Sequence, residues 1–136
     1  MNARMRIGDL AKQAQVTART IRYYEGIGLL PPGEREGSGQ HYYTAQTVAR
    51  LRKIDQLKML GLSLDEIGSV IDLYFADPSG KRPKGKVLAI LRRHLAEVDR
   101  KIGDLRQLRA DLLANIQRFE RWFEQAELQD GDEEDG

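Results

Sequence analysis

One helical segment limits what this chain can fold into more than any other feature of its sequence. Residues 87–123 contain no proline, and their only glycine is Gly103. Along this segment the apolar residues recur at alternating steps of four and three, which is the period of a coiled-coil seam. The seam is formed by Leu91, Leu95, Val98, Ile102 and Leu105, and it continues less regularly through Leu108, Leu112, Ile116, Phe119 and Phe123.

The length of this helix predicts self-association. At 1.5 Å per residue it would be about 55 Å long, which is more than the preceding part of the chain can cover. No loop divides the segment, so we expect its apolar stripe to be buried against a second copy of the chain. The alternative is a single amphipathic helix that lies on its own domain.

The composition excludes several classes of protein. The chain has no cysteine, which removes disulfides, thiolate catalysis and cysteine-ligated metals. Its two histidines, His41 and His94, are far apart, so we expect neither an enzyme nor a metal or cofactor site. No apolar run has the length of a membrane span, and the start of the chain lacks the apolar stretch of a signal peptide. These features predict a cytoplasmic protein without a membrane partner.

The charges are distributed unevenly. The chain has 22 basic and 21 acidic residues, and seven of the acidic ones lie in residues 124–136, which contain no basic residue. Residues 1–123 therefore carry 22 basic against 14 acidic groups, a net charge of +8. Such a basic body is compatible with a polyanionic partner. The tail, residues 124–136, has little to bury and is expected to be disordered, either as a solubilising segment or as an autoinhibitory mimic of DNA.

Two short helices near the start of the chain form a helix-turn-helix pattern. The first helix has apolar residues on one face: Ile7, Leu10, Ala11 and Ala14. Thr17 is a favourable N-cap for a second helix, which spans residues 18–25 and stops at Gly26. The second helix presents side chains suited to phosphates and base edges: Arg19, Thr20, Arg22 and Tyr23.

The residues that follow predict a wing and two further helices. Extended pieces on either side of the glycine-rich turn 33–39 are typical of a β-hairpin. Thr44 is expected to cap a third helix that runs to about Leu60, and Ser63 with Glu66 forms a capping box that opens a fourth. Residues 75–86 contain two prolines and two glycines and are expected to be a loop.

Four segments resemble the MerR family of bacterial transcription regulators. They are IGDLA at residues 7–11, TIRYYE at 20–25, IGLL at 27–30 and LGLSLDEI at 60–67. With the long helix, the resemblance extends over about residues 5–123. It implies a mainly α fold in which a winged helix-turn-helix DNA-binding head, residues 5–74, precedes a long antiparallel coiled-coil dimerisation helix, residues 87–123.

The resemblance also implies a mechanism. A homodimer would bind a pseudo-palindromic operator between the −35 and −10 elements of a promoter with an overlong spacer. Binding of an effector would make the dimer bend and untwist that spacer, so that RNA polymerase can engage both elements. Two alternatives remain open. The chain could be an effector-independent repressor or architectural DNA-binding protein of the same fold, or a coiled-coil adaptor whose head binds another protein.

Carried over to this sequence, the resemblance assigns roles to individual residues. Base contacts in the major groove would come from Thr17, Arg19 and Thr20. Phosphate and backbone contacts would come from Arg22, Tyr23, Arg35 and Lys58, and the expected DNA-binding set is completed in the wing by His41 and Tyr43. His41 stands where the family wing usually has an arginine. The side chains expected inside the head are Leu10, Ile21, Tyr24, Leu30 and Leu51, and those expected in the dimer are Leu91, Leu95, Val98, Ile102, Leu105 and Leu112.

The expected effector is not a metal. Metal-sensing relatives hold their ion with thiolates, and one such position aligns approximately with Lys84. We therefore expect a small organic molecule, bound where residues 75–86 meet the C-terminal aromatic residues across the dimer. The expected region comprises Phe75, Lys84, Phe119, Trp122 and Phe123. The aromatic residues could instead close the end of the coiled coil, and the basic stretch from Lys81 to Arg93 could be a solvated surface, an anion site or an added DNA contact.

Overall fold

The computed structural model describes residues 3–37 and 39–134, without the side chains of Glu36 and residues 132–134. The elements are α1 (Ile7–Ala14), α2 (Ala18–Gly26), β1 (Glu34–Glu36), β2 (Gln40–Tyr42), α3 (Ala45–Met59), α4 (Leu64–Ala76) and α5 (Lys81–Glu134). The fold is mainly helical, with a two-stranded wing and a long final helix, as the sequence predicted. The chain divides into two compact units, one ending at Arg92 and the other beginning at Arg93.

Local capping chemistry sets the boundaries of α1 and α2. Helix α1 ends at Gln15, whose backbone is left-handed (φ 58°) and whose N–H reaches the carbonyls of Ala11 and Lys12. The side chain of Thr17 accepts a hydrogen bond from the backbone N–H of Thr20 at 3.0 Å and so caps α2. The predicted helix-turn-helix pattern is confirmed.

The wing is a short antiparallel hairpin, β1–β2, with Arg35 opposite His41. Backbone hydrogen bonds between Met5 and Tyr43 continue the pairing beyond it, at 2.8 and 2.9 Å. Gly33, at the base of the wing, approaches this region closely. A Cβ on Gly33 would lie 2.8 Å from the ring of Tyr43, so the packing at this point requires glycine.

The core of the head is built from α1 to α4 together with the first turns of α5. All five side chains predicted to lie inside are buried: Leu10, Ile21, Tyr24, Leu30 and Leu51. Val87 and Ile90 of α5 belong to the same cluster. The guanidinium of Arg50 donates to the carbonyl of Leu29 at 2.9 Å and to the carboxylate of Asp72 at 2.8 Å, which joins α3 to α4 and to the segment after α2.

The predicted caps of α3 and α4 have different outcomes. The capping box of Ser63 and Glu66 at α4 is present in both directions, as expected. Thr44 does occupy the N-cap position of α3, but its side chain makes no capping hydrogen bond.

The expected loop at residues 75–86 is wrong in extent, because α4 continues to Ala76 and α5 begins at Lys81. The N–H of Arg82 donates to the Asp77 carboxylate at 3.0 Å, and the N–H of Lys81 donates to the Ser79 hydroxyl at 3.2 Å. These side chains satisfy the first N–H groups of α5. Pro83 lies in the first turn of the helix, where its missing N–H breaks no helical hydrogen bond.

The expected disorder of residues 124–136 is also wrong for the residues that the structure describes. Helix α5 continues to Glu134, and residues 135–136 lie outside the described part. A helix that is already formed extends at little cost, and the segment after Phe123 contains good helix formers such as Glu124, Gln125 and Ala126. Within the described residues, no helix is long and apolar enough to span a membrane.

Candidate nucleic-acid interface

Helix α2 separates a buried face from an exposed face. Ile21 and Tyr24 are buried in the head core, whereas Arg19 and Arg22 are exposed and the ring of Tyr23 is 56% exposed. The residue types that can contact phosphates therefore lie on the outer surface of the second helix of the helix-turn-helix unit. Such a helix is the usual element that enters the major groove.

The N-terminus of α2 carries a pair of hydroxyl groups. The hydroxyl of Thr17 donates to the Thr20 hydroxyl oxygen at 2.9 Å. Because the Thr17 oxygen also accepts the Thr20 N–H, the two side chains hold each other in place. The Thr20 hydroxyl proton is still available to a base edge or a phosphate.

A carboxylate at the end of α2 holds the wing. Glu25 accepts the backbone N–H of Gly33 at 3.1 Å with one oxygen and the hydroxyl of Tyr43 at 2.8 Å with the other. These partners lie just before β1 and just after β2, so one side chain connects both ends of the wing to α2. We did not single out Glu25 from the sequence. The signal was an acidic residue at the end of a short helix, directly before a glycine-rich hairpin.

The expected contact between Tyr43 and DNA is corrected by this arrangement. The Tyr43 residue is only 4% exposed, and its hydroxyl is engaged by Glu25. Burial, the hydrogen bond to Glu25 and the negative charge of that carboxylate together raise the pKa of Tyr43 to about 12, against an opposing effect of Arg22. Tyr43 therefore positions the wing and does not offer its side chain to a ligand.

A basic cavity of about 640 Å³ lies between the start of α1, the helix α2 and the wing. Its lining residues are Arg6, Ile7, Arg22, Glu25, Gly39, Gln40, His41 and Tyr43. Both oxygens of the acidic member, Glu25, already accept hydrogen bonds from the wing, whereas Arg6 and Arg22 supply positive charge. The N–H groups at the start of α1 add a partial positive charge, so the cavity suits an anionic group such as a phosphate.

Arg6 is a second residue that we did not single out from the sequence. It is the N-cap residue of α1 and makes no capping hydrogen bond with its side chain. The available sequence signal was its position, directly before the first helix of a helix-turn-helix unit. In the structure, the start of that helix faces the same cavity as Arg22.

The wing histidine is paired with an arginine. The Nε of Arg35 donates to the Nε2 of His41 at 3.3 Å, across the two strands. His41 Nε2 is the acceptor in this pair. The guanidinium of Arg35 is the cation that the wing presents, and His41 orients it.

Lys58 lies close to Tyr24, a buried residue in the C-terminal half of α2. It is exposed near the end of α3, and its Nζ is 3.5 Å from the hydroxyl of the buried Tyr24. The rings of Tyr23 and Tyr24 are 6.2 Å apart. Lys58 and the exposed Tyr23 are thus linked through a residue of the core.

Comparisons with known proteins agree with this geometry. Residues 5–73 match the family described as MerR HTH family regulatory protein, and residues 48–114 match the one described as MerR, DNA binding. The chain belongs to the MerR family of helix-turn-helix regulators. It is therefore a DNA-binding transcription regulator, and α1–α2 with the β1–β2 hairpin form the winged helix-turn-helix unit of its head.

Three relatives illustrate the similarity. The HTH-type transcriptional regulator HmrR of Rhizobium leguminosarum is 38% identical over 108 residues, which cover 79% of this chain and 81% of the relative. The mercuric resistance operon regulatory protein of Bacillus cereus is 36% identical over 110 residues, with 81% of each chain covered. The transcription regulator PbrR691 of Ralstonia metallidurans, solved in complex with lead(II), is 34% identical with a TM-score of 0.63, and the match covers 80% of this chain and 83% of that one.

The side chains expected to form the dimer lie on α5. In the unit that begins at Arg93, the apolar stripe is exposed: Leu95 is 60%, Ile102 is 41% and Leu105 is 63% exposed, and Val98 and Leu112 are similar. Leu91 differs because it packs partly against the core of its own head.

The residues of the expected effector region belong to both units of the chain. Phe75, at the end of α4, is 53% exposed and lines a cavity of about 530 Å³ beside the base of the wing. Lys84 is exposed in the first turn of α5, not in a loop. Phe119, Trp122 and Phe123 belong to the unit that begins at Arg93, and the rings of Trp122 and Phe123 meet edge to face at 4.9 Å.

The Glu25–Tyr43 contact predicts an unusual alkaline titration. In an absorbance titration of the folded protein, one of the five tyrosines should ionise near pH 12, and this late phase should be missing from Tyr43→Phe. The unfolded chain releases the same proton near pH 10, so the resistance of the wild type to urea should fall as the pH rises from about 10 towards 12, and less so in the variant. Tyr23→Phe, which alters an exposed ring, should keep the late phase. A late phase that persists in Tyr43→Phe would refute the assignment.

Proposed function

We propose that the protein binds a pseudo-palindromic promoter operator as a homodimer and distorts the spacer DNA in response to a non-metal effector. The observation that carries the DNA-binding part is the Glu25 carboxylate, which holds the wing against α2 beside the basic cavity of Arg6 and Arg22. Two elements that are fixed relative to each other can contact one stretch of duplex in a single orientation.

The DNA contacts follow from this arrangement. Thr17, Arg19 and Thr20 lie at the start of α2 and would face the major groove. The exposed ring of Tyr23 and the cations of the head would hold phosphates, with Arg22 beside the cavity and Arg35 at the wing. Lys58 would contact the backbone, and His41 would act through Arg35. Phosphate contacts position the head, and contacts to base edges select the sequence.

The exposed stripe of α5 supports the homodimer. Large apolar side chains such as Leu95, Ile102 and Leu105 recur at coiled-coil spacing and are exposed in a single chain. Burial of such a side chain typically contributes about 1.5–3 kcal/mol, so several of them in register hold two helices together. A two-fold dimer presents two α2 helices to half-sites related by the same symmetry, and RNA polymerase would meet the deformed promoter between them.

A metal effector does not fit the residues present. One relative, PbrR691, was solved in complex with lead(II), and another is named as a mercuric resistance operon regulatory protein, so soft metal ions are the effectors to consider first. Such ions require thiolate or imidazole ligands, but this chain has no cysteine. Among the described residues, no group of three histidine, aspartate or glutamate side chains is placed to hold an ion. We infer a small organic effector that binds across the dimer, where residues 75–86, with Phe75 and Lys84, would meet the C-terminal aromatic residues Phe119, Trp122 and Phe123.

The same observations favour a second candidate function. A chain of this fold that has lost the thiolates could act without an effector, as a repressor or architectural DNA-binding protein. Transcription from a promoter with an overlong spacer, measured with and without added cell extract, separates the two functions.

The role of α2 as the recognition helix can be tested by the salt dependence of DNA binding. Arg22→Ala should weaken binding to every duplex sequence and reduce the salt slope by about one unit, because one phosphate contact is lost. Arg19→Ala should in addition change the base preference. Arg100→Ala, which removes an exposed arginine from α5, is the control and should leave the slope unchanged. An Arg22→Ala protein with unchanged affinity and slope would show that α2 is not the recognition helix.

The dimer can be tested on the apolar stripe. Leu95→Asp combined with Ile102→Asp should give monomers in sedimentation experiments and abolish operator binding, because charges would have to be buried in the seam. Ala96→Asp combined with Ala114→Asp adds the same charge at exposed positions off the stripe and should leave the dimer intact. If the stripe variant remained dimeric, the interface would have to lie elsewhere.

The absence of soft ligands can be tested directly. Calorimetric titration with zinc, copper and mercury ions should detect no specific binding tighter than micromolar, because no thiolate is available. A stoichiometric site of submicromolar affinity would contradict the non-metal effector.

A further inference from the structure

The charges of α5 are arranged against the dipole of the helix. Its first six residues, 81–86, contain four basic side chains and no acidic one; we call Lys81, Arg82, Lys84 and Lys86 the basic start. Its last eleven described residues, 124–134, contain six acidic side chains and no basic one; we call this segment the acidic end. A helix favours negative charge at its N-terminus and positive charge at its C-terminus. Neither group of charges therefore stabilises the helix that carries it.

The basic start faces away from the core of the head. Pro83, Val87 and Ile90 recur at steps of four and three and are buried. Lys84 and Lys86 lie between Pro83 and Val87 in sequence, Lys81 precedes Pro83, and all three lysines are exposed. One acidic group is near: the N–H of Arg82, together with the Ser79 hydroxyl, holds the pKa of the Asp77 carboxyl below its ordinary value. Lys81, Lys84 and Lys86 are the exposed lysines of the basic start.

The apolar stripe brings the two charged segments into register. Continued at steps of three and four, it passes upstream through Leu88 to Lys84 and downstream through Ala126 to Asp130. Two antiparallel copies can bury the stripe in either of two neighbouring registers. The first pairs Leu91 with Ile116 of the partner, and the second pairs Leu91 with Phe123 of the partner. Lys84 then lies opposite Phe123 in the first register and opposite Asp130 in the second. Both registers place the basic start beside the acidic end, whereas a parallel pair would place like charges together.

We propose that the acidic end of one copy docks on the basic start of α5 in the second copy, twice in each dimer. The proposal rests on the homodimer of the proposed function, with its antiparallel helices, and adds to it a specific charged contact between the two copies. The partner's carboxylates meet the lysine side chains and also the positive end of the α5 dipole. The acidic end therefore occupies the surface that a free anionic ligand would otherwise take.

The contact should be weak for each pair and dependent on salt. One exposed ion pair contributes little to the stability of the dimer. Glu124, Glu127 and Asp130 are present in both symmetric contacts, however, and so give several ion pairs in each dimer. Neutralising them should raise the dimer dissociation constant by about 10- to 100-fold at low ionic strength. Salt near 1 M, where the Debye length is about 3 Å, should remove most of this difference.

Cross-linking tests the arrangement of the two helices. Because the chain has no cysteine, introduced cysteines give an unambiguous readout. Gly85→Cys and Ala126→Cys change no charge, and a Cβ at Gly85 meets no atom within 4 Å. When the two single variants are refolded together, a short bis-maleimide should link a Gly85→Cys chain to an Ala126→Cys chain. Each variant alone should give little linked dimer. If Ala126→Cys alone gave a linked homodimer and the mixture gave no link between the two variants, the helices would be parallel and the proposal would be overturned.

Charge exchange tests the electrostatic contact. Glu124→Gln, Glu127→Gln and Asp130→Asn together should weaken the dimer in sedimentation experiments at low salt. The control, Glu97→Gln, Asp104→Asn and Asp111→Asn, removes three acidic residues from an exposed face of α5 and should leave the dimer unchanged. Replacing Lys81, Lys84 and Lys86 by Glu should also weaken the dimer, and combining this change with Lys at positions 124, 127 and 130 should restore it.

The outcomes separate this contact from the proposed function. The exchanged charges agree with the helix dipole, so a weaker dimer is not explained by loss of the helix. Dimerisation and duplex binding that persist unchanged in the neutralised variant would overturn the contact while leaving the regulator intact. A wild-type chain that stays monomeric at all salt concentrations would contradict both the contact and the homodimer.

Discussion

The Glu25 carboxylate is the contact on which the geometry of the head depends. The wing is only a two-stranded hairpin, and such a hairpin is marginally stable without other packing. Glu25 supplies two hydrogen bonds, to the N–H of Gly33 and to the hydroxyl of Tyr43, and both come from residues that flank the strands. The glycine at position 33 is required for the same reason, because a larger residue would displace the Tyr43 ring. The orientation of the wing relative to α2 is therefore set inside the protein before any DNA is bound.

Helix α5 has two functions that share one stretch of sequence. Val87 and Ile90 complete the core of the head, and the stripe from Leu95 onward is left for a second chain. Both segments belong to the same helix, Lys81–Glu134.

The sequence predicted the elements whose causes are local. The cap at Thr17, the capping box of Ser63 and Glu66, and the seam period of α5 all depend on residues within a few positions of one another. The role of Tyr43 could not be predicted in this way, because its hydroxyl is bound by a residue 18 positions away. The prolines and glycines of residues 75–86 led to a wrong prediction of where α5 begins, because a proline is equally acceptable in a loop and in the first turn of a helix.

The lack of cysteine in this chain and the charges of α5 lead to one physical argument about signalling. In a protein whose dimer is held partly by charge at the start of α5, an anionic ligand would compete with the acidic end for Lys81, Lys84 and Lys86. The opposite face of the same turns is formed by Pro83 and Val87, which are packed in the core of the head. Close-packed interiors transmit small displacements rather than absorb them. A ligand that displaced the acidic end would therefore act on the head through these two residues, without any contact to DNA.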